Sequence, residues 1–241
     1  MVDAVDRLIV AVDVPDAGEA LRLAHRLRGR VGALKVGLEL ANAAGIDILD
    51  RLRDGGAPRV FYDCKLHDIP NTVAGATRAI AARGVWMMNV HASGGSRMVR
   101  AAAEALAQAS LAGRPRPLLL GVTLLTSIAP EELADELRVG LDPIAYVREL
   151  ALLSRDAGAD GVVASPLEIG AVRDACGPGF LIVTPGVRPH GADRGDQRRV
   201  ATPGEAIRAG ATHIVVGRPV TAAPDPAAAA EAIVEEIASA A

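Results

Sequence analysis

The chain has 241 residues, half of them hydrophobic and only 2% aromatic, with 26 Lys and Arg against 29 Asp and Glu for a formal net charge of −3. That allows a large aliphatic core and gives no basic footprint for nucleic acid. The opening segment MVDAVDRLIVAVDVP sets acids before a short apolar run, unlike a signal peptide, and no apolar run is long enough to span a bilayer, so a soluble cytoplasmic protein without membrane contact is expected.

In chain order, the first strand is RLIVAVDV (7–14), which ends at Asp13. DAGE (16–19) reads as a helix start, followed by Leu21, Ala24 and Leu27 at helical spacing and Gly29 as a stop. ALKVGL (33–38) carries Lys35, and RVFYDCK (59–65) ends with Asp63 and Lys65. Pro70 helps to start the helix that follows. VWMMNVH (85–91) ends at His91, and PLLLGVTLL (117–125) runs into Thr126 and Ser127. Asp142-Pro143 reads as an N-cap followed by proline at the first helical position. GVVAS (161–165) leads into SPLE (165–168), a capping-box pattern. FLIVTPGV (180–187) leads to Arg188, TPGE (202–205) is a second capping-box pattern, and HIVVGR (213–218) ends at Gly217-Arg218. Asp225-Pro226 caps a last helix.

Eight near-continuous apolar strands alternating with helical segments indicate a parallel sheet covered by helices. Within this length they predict a (β/α)₈ barrel, a TIM barrel, as a single α/β domain over residues 1–241. The open doubly wound sheet is the rival, weakened because no G-x-G-x-x-G follows the first strand. No linker divides the chain, and no sequence repeat exceeds the strand-helix rhythm. The two cysteines, Cys64 and Cys176, suggest neither a disulfide framework nor a metal site.

Barrel sites form at the carboxyl ends of the strands. Side chains alternate along a strand, so Asp63 and Lys65 share a face and Cys64 takes the other, packed under the helices and inert. Asp13, Lys35, Asp63, Lys65 and Asp68, the last in the loop beyond its strand, are expected to converge as alternating acids and bases. Ion pairs closing the barrel end would account for any one of them. For the whole set, with both signs on several strand ends, function is the better reading. Lysines interleaved with the carboxylates compete with a metal for the same oxygens, so no metal is expected.

Gly217-Arg218 suggests a phosphate site after the last strand. The loop RPHGADRGDQRRV (188–200) reads as a connection or a lid, and Arg188, Arg194, Gln197, Arg198 and Arg199 can each donate to an anion without the sequence choosing among them. His67 and His91 are read as structural, with no evident partner.

DCKLHDIPNT (63–72) resembles the signature of the orotidine 5′-phosphate decarboxylase family, in its shorter bacterial type. VAVDVP (10–15), LKVGLEL (34–40), VTLLTS (122–127), VTPGVRP (183–189) and IVVGRPV (214–220) resemble the same family in the same order, across nearly the whole chain. The resemblance implies cofactor-free decarboxylation of orotidine 5′-phosphate to uridine 5′-phosphate in pyrimidine biosynthesis. It implies that Lys65 is the catalytic lysine and proton donor, with Asp63 beside the departing CO₂. Lys35 bridges the acids and the ribose, and Asp13 holds a ribose hydroxyl. Asp68, Ile69 and Thr72 are implied to cross a homodimer interface into the partner's site. Thr126 lies at the pyrimidine ring, and Arg188, Gln197, Gly217 and Arg218 lie on the phosphate side. A metal-dependent sugar-phosphate decarboxylase or aldolase sharing D-x-K-x-x-D is the nearest alternative. A silent phosphate-ligand binding module is the other.

Overall fold

The protein is described here by a computed structural model covering residues 3–110, 115–189 and 201–240. The elements run β1 (Leu8–Ala11), α1 (Ala17–Arg26), β2 (Ala33–Val36), α2 (Leu38–Ala44), α3 (Ile48–Asp54), β3 (Val60–Leu66), α4 (Pro70–Ala81), β4 (Met87–His91) and α5 (Ser96–Ser110). They continue with β5 (Leu118–Val122), α6 (Pro130–Asp135), α7 (Pro143–Asp156), β6 (Gly161–Val163), α8 (Ile169–Cys176), β7 (Leu181–Thr184), α9 (Pro203–Arg208), β8 (His213–Val216), α10 (Arg218–Thr221) and α11 (Pro226–Ala240). The eight strands close in sequence order, each parallel to the next, with β1 pairing both β2 and β8. This is the expected (β/α)₈ barrel.

The alternation of strand side chains builds two cores. Ile9, Ala11, Ala33, Phe61, Met87, Leu120, Val183 and Val215 fill the barrel interior. Their strand neighbours Leu8, Val10, Leu34, Val60, Met88, Leu119, Val162, Ile182 and Ile214 face outward against the helices. Cys64 belongs to the outer core, and burial first of all pushes its thiol up to about 11, so it is inert at neutral pH as expected.

The ladder segments are shorter than the apolar runs that announced them. Asp13, Thr123 to Leu125, Ser165 and Pro185 lie beyond the paired residues, because the carboxyl ends of the runs leave the sheet to line the barrel mouth. Leu38, read as the end of a strand, starts α2 instead. Helix starts follow the cap chemistry. Asp16 accepts from the Glu19 amide, Asp142 from the amides of Ile144 and Ala145, and Asp225 from those of Ala227 and Ala228. Thr202 and Glu205 form the full capping box. At SPLE only the hydroxyl half appears: Ser165 accepts from the Leu167 amide at the head of a short 3₁₀ turn, while Glu168 is buried. Gly29 takes a left-handed φ of +74°, three residues after α1 has ended.

Candidate active site

Three neighbouring strands place the charged residues. Parallel register sets Ala11 beside Lys35 and Lys35 beside Phe61, so Asp63, two residues on, stands directly above the apolar interior. Lys35 Nζ lies 3.1 Å from Asp13 Oδ1 and 3.2 Å from Asp63 Oδ2, and Lys65 Nζ lies 2.6 Å from Asp63 Oδ1. Asp13, Lys35, Asp63 and Lys65 thus form an unbroken chain of alternating sign. Lys35 and Asp63 are buried, whereas the side chains of Lys65 and Asp13 are 28% and 47% exposed and open to the mouth.

Burial alone would drive protons onto Asp63, but Lys35, Lys65 and the Asn89 amide outweigh it and hold the carboxyl at about 2. Burial likewise works against the charge on Lys35, and Asp63 and Asp13 overturn it, so its pKa is raised. Gly37, at the turn between β2 and α2, leaves the space this chain needs. A Cβ there would stand 2.8 Å from Asp13 Oδ1 and 3.0 Å from Lys35 Nζ.

Two lobes meet at Lys35 and Asp63. The inner one, about 160 Å³, descends into the barrel and is walled by Phe61, Val122, Leu124, Val163, Val183 and Val215, with Lys65, Thr126 and Ser165 as its polar points. The outer one, about 510 Å³, runs past Asp13 and Glu39 to Gly186, Arg188, Gly217, Arg218 and Thr221. An apolar slot with a few polar groups suits a flat ring, and an open cleft ending in arginines suits an anion. Val187 bridges Ala201, fixing the two ends of the loop that carries Arg188. Gln197, with Arg194, Arg198 and Arg199, lies outside the described residues.

Asp68, Ile69 and Thr72 do not join this cluster within the chain. They lie exposed at the start of α4, where the Asp68 carboxylate accepts from the Ile69 amide at 2.6 Å and Ile69 is 66% exposed. The ring of His67 lies 5.4 Å from that of His91, so each has the other as a neighbour that the spacing did not announce. Sequence reasoning missed Asn89 and Ser165. Asn89 is fully buried and bonds both Asp63 and the Lys65 backbone. Its only trace in the sequence is a non-charged polar residue inside the apolar run of β4, at inward spacing from Met87, which does not name its partners.

Fold and site define a (β/α)₈ barrel enzyme with an acid–lysine chain at the carboxyl ends of its first three strands. Residues 6–233 match the family described as Orotidine 5'-phosphate decarboxylase / HUMPS, and the chain belongs to that family. It is 55% identical over 235 residues to Orotidine 5'-phosphate decarboxylase of Moorella thermoacetica, covering 97% of this chain and 93% of that one. It is 53% identical to the protein of the same name from Halorhodospira halophila, covering 97% of each. The crystal structure of Orotidine 5'-phosphate decarboxylase from Lactobacillus acidophilus superimposes with a TM-score of 0.85 at 41% identity, over 95% of this chain and 98% of that one.

The depressed Asp63 carboxyl has a consequence for stability. The folded site binds its proton more weakly than the unfolded chain does, so its contribution is complete above about pH 5 and is lost as pH falls through about 2. Its size is on the order of 2–3 kcal/mol. Urea unfolding of wild type and Asp63→Asn should therefore show a stability gap that narrows by about that amount between pH 7 and pH 2. A gap that does not change with pH would show that the carboxylate is not held by its lysines.

Proposed function

We propose that the chain is a carbon–carbon lyase that decarboxylates orotidine 5′-phosphate to uridine 5′-phosphate in pyrimidine biosynthesis, without a cofactor. The observation that carries this reading is the Asp13–Lys35–Asp63–Lys65 chain at the junction of a ring-sized lobe and an anion-suited cleft. Family membership and the names of relatives about half identical to this chain support it.

In this mechanism the pyrimidine enters the inner lobe, with Thr126 and Ser165 as polar contacts. The ribose lies against Asp13 and Lys35, and the phosphate reaches Gly217, Arg218 and Arg188, with Gln197 from the adjoining loop. The bond from C6 to the carboxylate breaks, its electron pair stays on C6, and CO₂ leaves past Asp63. The Lys65 ammonium stabilises the growing charge and passes its proton to C6. The lysine then regains a proton from solvent. Positioned charge suits this task because it need not reorganise during the reaction. The remote phosphate supplies binding energy for holding the ring against the charged chain.

The active unit in this reading is a homodimer. Asp68, Ile69 and Thr72 are exposed at the rim of their own barrel and are offered to the partner's site, where Asp68 adds a second acid beside Lys65. Residues 1–241 act as one catalytic domain. The protein works in the cytoplasm, because a phosphorylated nucleotide substrate does not cross membranes unaided.

Four outcomes are expected. Loss of orotidylate absorbance should proceed with purified protein at the same rate with and without EDTA, and Lys65→Ala should lower turnover by roughly three or more orders of magnitude while uridylate binding persists. Metal dependence would favour a sugar-phosphate lyase of the same family instead, and a variant keeping a tenth of the turnover would remove Lys65 as proton donor. Mixing inactive Lys65→Ala with inactive Asp68→Ala should restore activity through heterodimers holding one intact site. Proven subunit exchange with no recovery would refute the shared site. Arg218→Ala should cost roughly 2–4 kcal/mol in kcat/KM on the phosphorylated substrate and little on the nucleoside lacking phosphate. An equal loss on both would assign Arg218 to the fold or the chemistry.

A further inference from the structure

The backbone of β3 is irregular where the chemistry stands. Its ladder to β4 runs Phe61 to Met87 and Tyr62 to Met88, then resumes at Leu66 to Val90. Four steps on β3 therefore face two on β4, so Asp63, Cys64 and Lys65 bulge out of register. Lys65 sits at φ +47°, in the left-handed region that a residue with a Cβ enters at a cost of about 1–2 kcal/mol. A bulge of this kind strips the strand of ladder partners, and buried backbone N–H groups need replacements.

For the Lys65 amide a side chain of β4 supplies one. Asn89 Oδ1 accepts from the Lys65 amide at 2.7 Å, and Asn89 Nδ2 donates to Asp63 Oδ1, also at 2.7 Å. The Asn89 carbonyl accepts from the Cys64 thiol at 3.2 Å. The orientation of the amide follows from its partners, since a backbone N–H can only donate and an ionised carboxylate can only accept. Asn89 is fully buried in β4 with no exposed area, so no water competes for these bonds. The same Asp63 Oδ1 also receives Lys65 Nζ at 2.6 Å. Asn89 thus holds the lysine at its backbone and, through Asp63, at its ammonium.

We propose that Asn89 is a positioning residue that braces the β3 bulge, holding Lys65 in its left-handed conformation and aiming Asp63 and the Lys65 ammonium at the reacting carbon. The assignment of a reacting carbon rests on the decarboxylase reading above, whereas the bracing of Lys65 does not. A geometric shift of about 1 Å at a catalytic group can cost on the order of 10²-fold in rate. Asn89→Ala removes both side-chain bonds. Asn89→Asp keeps the volume and the acceptor for the Lys65 amide, and its carboxyl, buried against ionised Asp63, takes up a proton and so keeps a donor facing Asp63 at neutral pH. Only when that proton is lost, well above the ordinary carboxylate range, does a carboxylate oxygen face and repel Asp63, so this variant should keep function in acid and lose it as pH rises.

The test measures kcat, KM and uridylate affinity for wild type, Asn89→Ala and Asn89→Asp across pH, with crystal structures of all three. The expected result is a loss of about 10²-fold in kcat for Asn89→Ala at neutral pH, with KM and uridylate affinity within about threefold of wild type. The Asn89→Asp rate should lie well above that of Asn89→Ala in acid and at neutral pH and fall as pH rises, and the crystals should show Lys65 leaving φ near +47° and the Asp63–Lys65 contact opened in Asn89→Ala. Wild-type kcat in Asn89→Ala, a loss in Asn89→Asp that equals that of Asn89→Ala at every pH, or a loss confined to KM and uridylate affinity overturns the proposal. If Asn89→Ala does not fold, the isosteric Asn89→Asp decides. If wild type itself does not decarboxylate orotidylate, the decarboxylase reading fails, and the crystallographic conformation of Lys65 still decides the role of Asn89.

Discussion

Asp63 is the group on which the site depends. It is buried, it is charged, and it is held so by two lysines arriving from different places, one on the neighbouring strand and one two residues further along its own. A lone buried carboxylate would take up a proton, and either lysine alone in that position would be driven to lose one. Each charge is tolerable only because the others are there, and removal of one partner leaves a largely buried charge short of compensation. The arrangement therefore specifies more than it stabilises. It forces β1, β2 and β3 into the one register that stacks Asp13, Lys35 and Asp63 within contact.

The barrel makes such register possible at low cost. Below the charged layer Ile9, Ala33, Phe61, Met87, Leu120, Val183 and Val215 close-pack, so the strand ends cannot slide relative to one another. Strand side chains that face inward are apolar at the base and polar at the mouth: Ala33 then Lys35, Phe61 then Asp63, Met87 then Asn89. A rigid apolar floor beneath preorganised charge is what electrostatic catalysis requires, because the field must not relax as charge moves.

Much of this was legible in the residues. Strand alternation alone put Asp63 and Lys65 inward and Cys64 outward. The caps at Asp16, Asp142, Thr202 and Asp225 marked helix starts, because each offers an oxygen to amides that would otherwise lack partners. Other features were hidden because they arise only from tertiary contact. Asn89 looks like a lone polar interruption until β4 is set beside a bulged β3. Glu168 follows the capping pattern on paper but is buried, since a preference worth a fraction of a kcal/mol yields to packing. The His67–His91 approach joins two strand ends 24 residues apart and leaves no periodic trace. Asp68, Ile69 and Thr72 show the limit from the other side: the single chain reveals only that they are exposed at the start of α4.

The left-handed conformation of Lys65 links these levels. A strand in regular pleat would send residues 63 and 65 to the same face about two rises apart. The bulge departs from that geometry, and the cost is a strained φ at Lys65 and a broken ladder. Such strain persists only where surrounding contacts over-determine it. Here they do so from three sides: Asn89 from β4, Lys35 from β2 through Asp63, and the outer core that takes in the neighbouring Cys64. The residue held in the strained conformation is thus one that lines the inner lobe, with its terminal nitrogen against Asp63 where the two lobes meet. The fold has put its rigidity where the ammonium of Lys65 meets the carboxylate of Asp63.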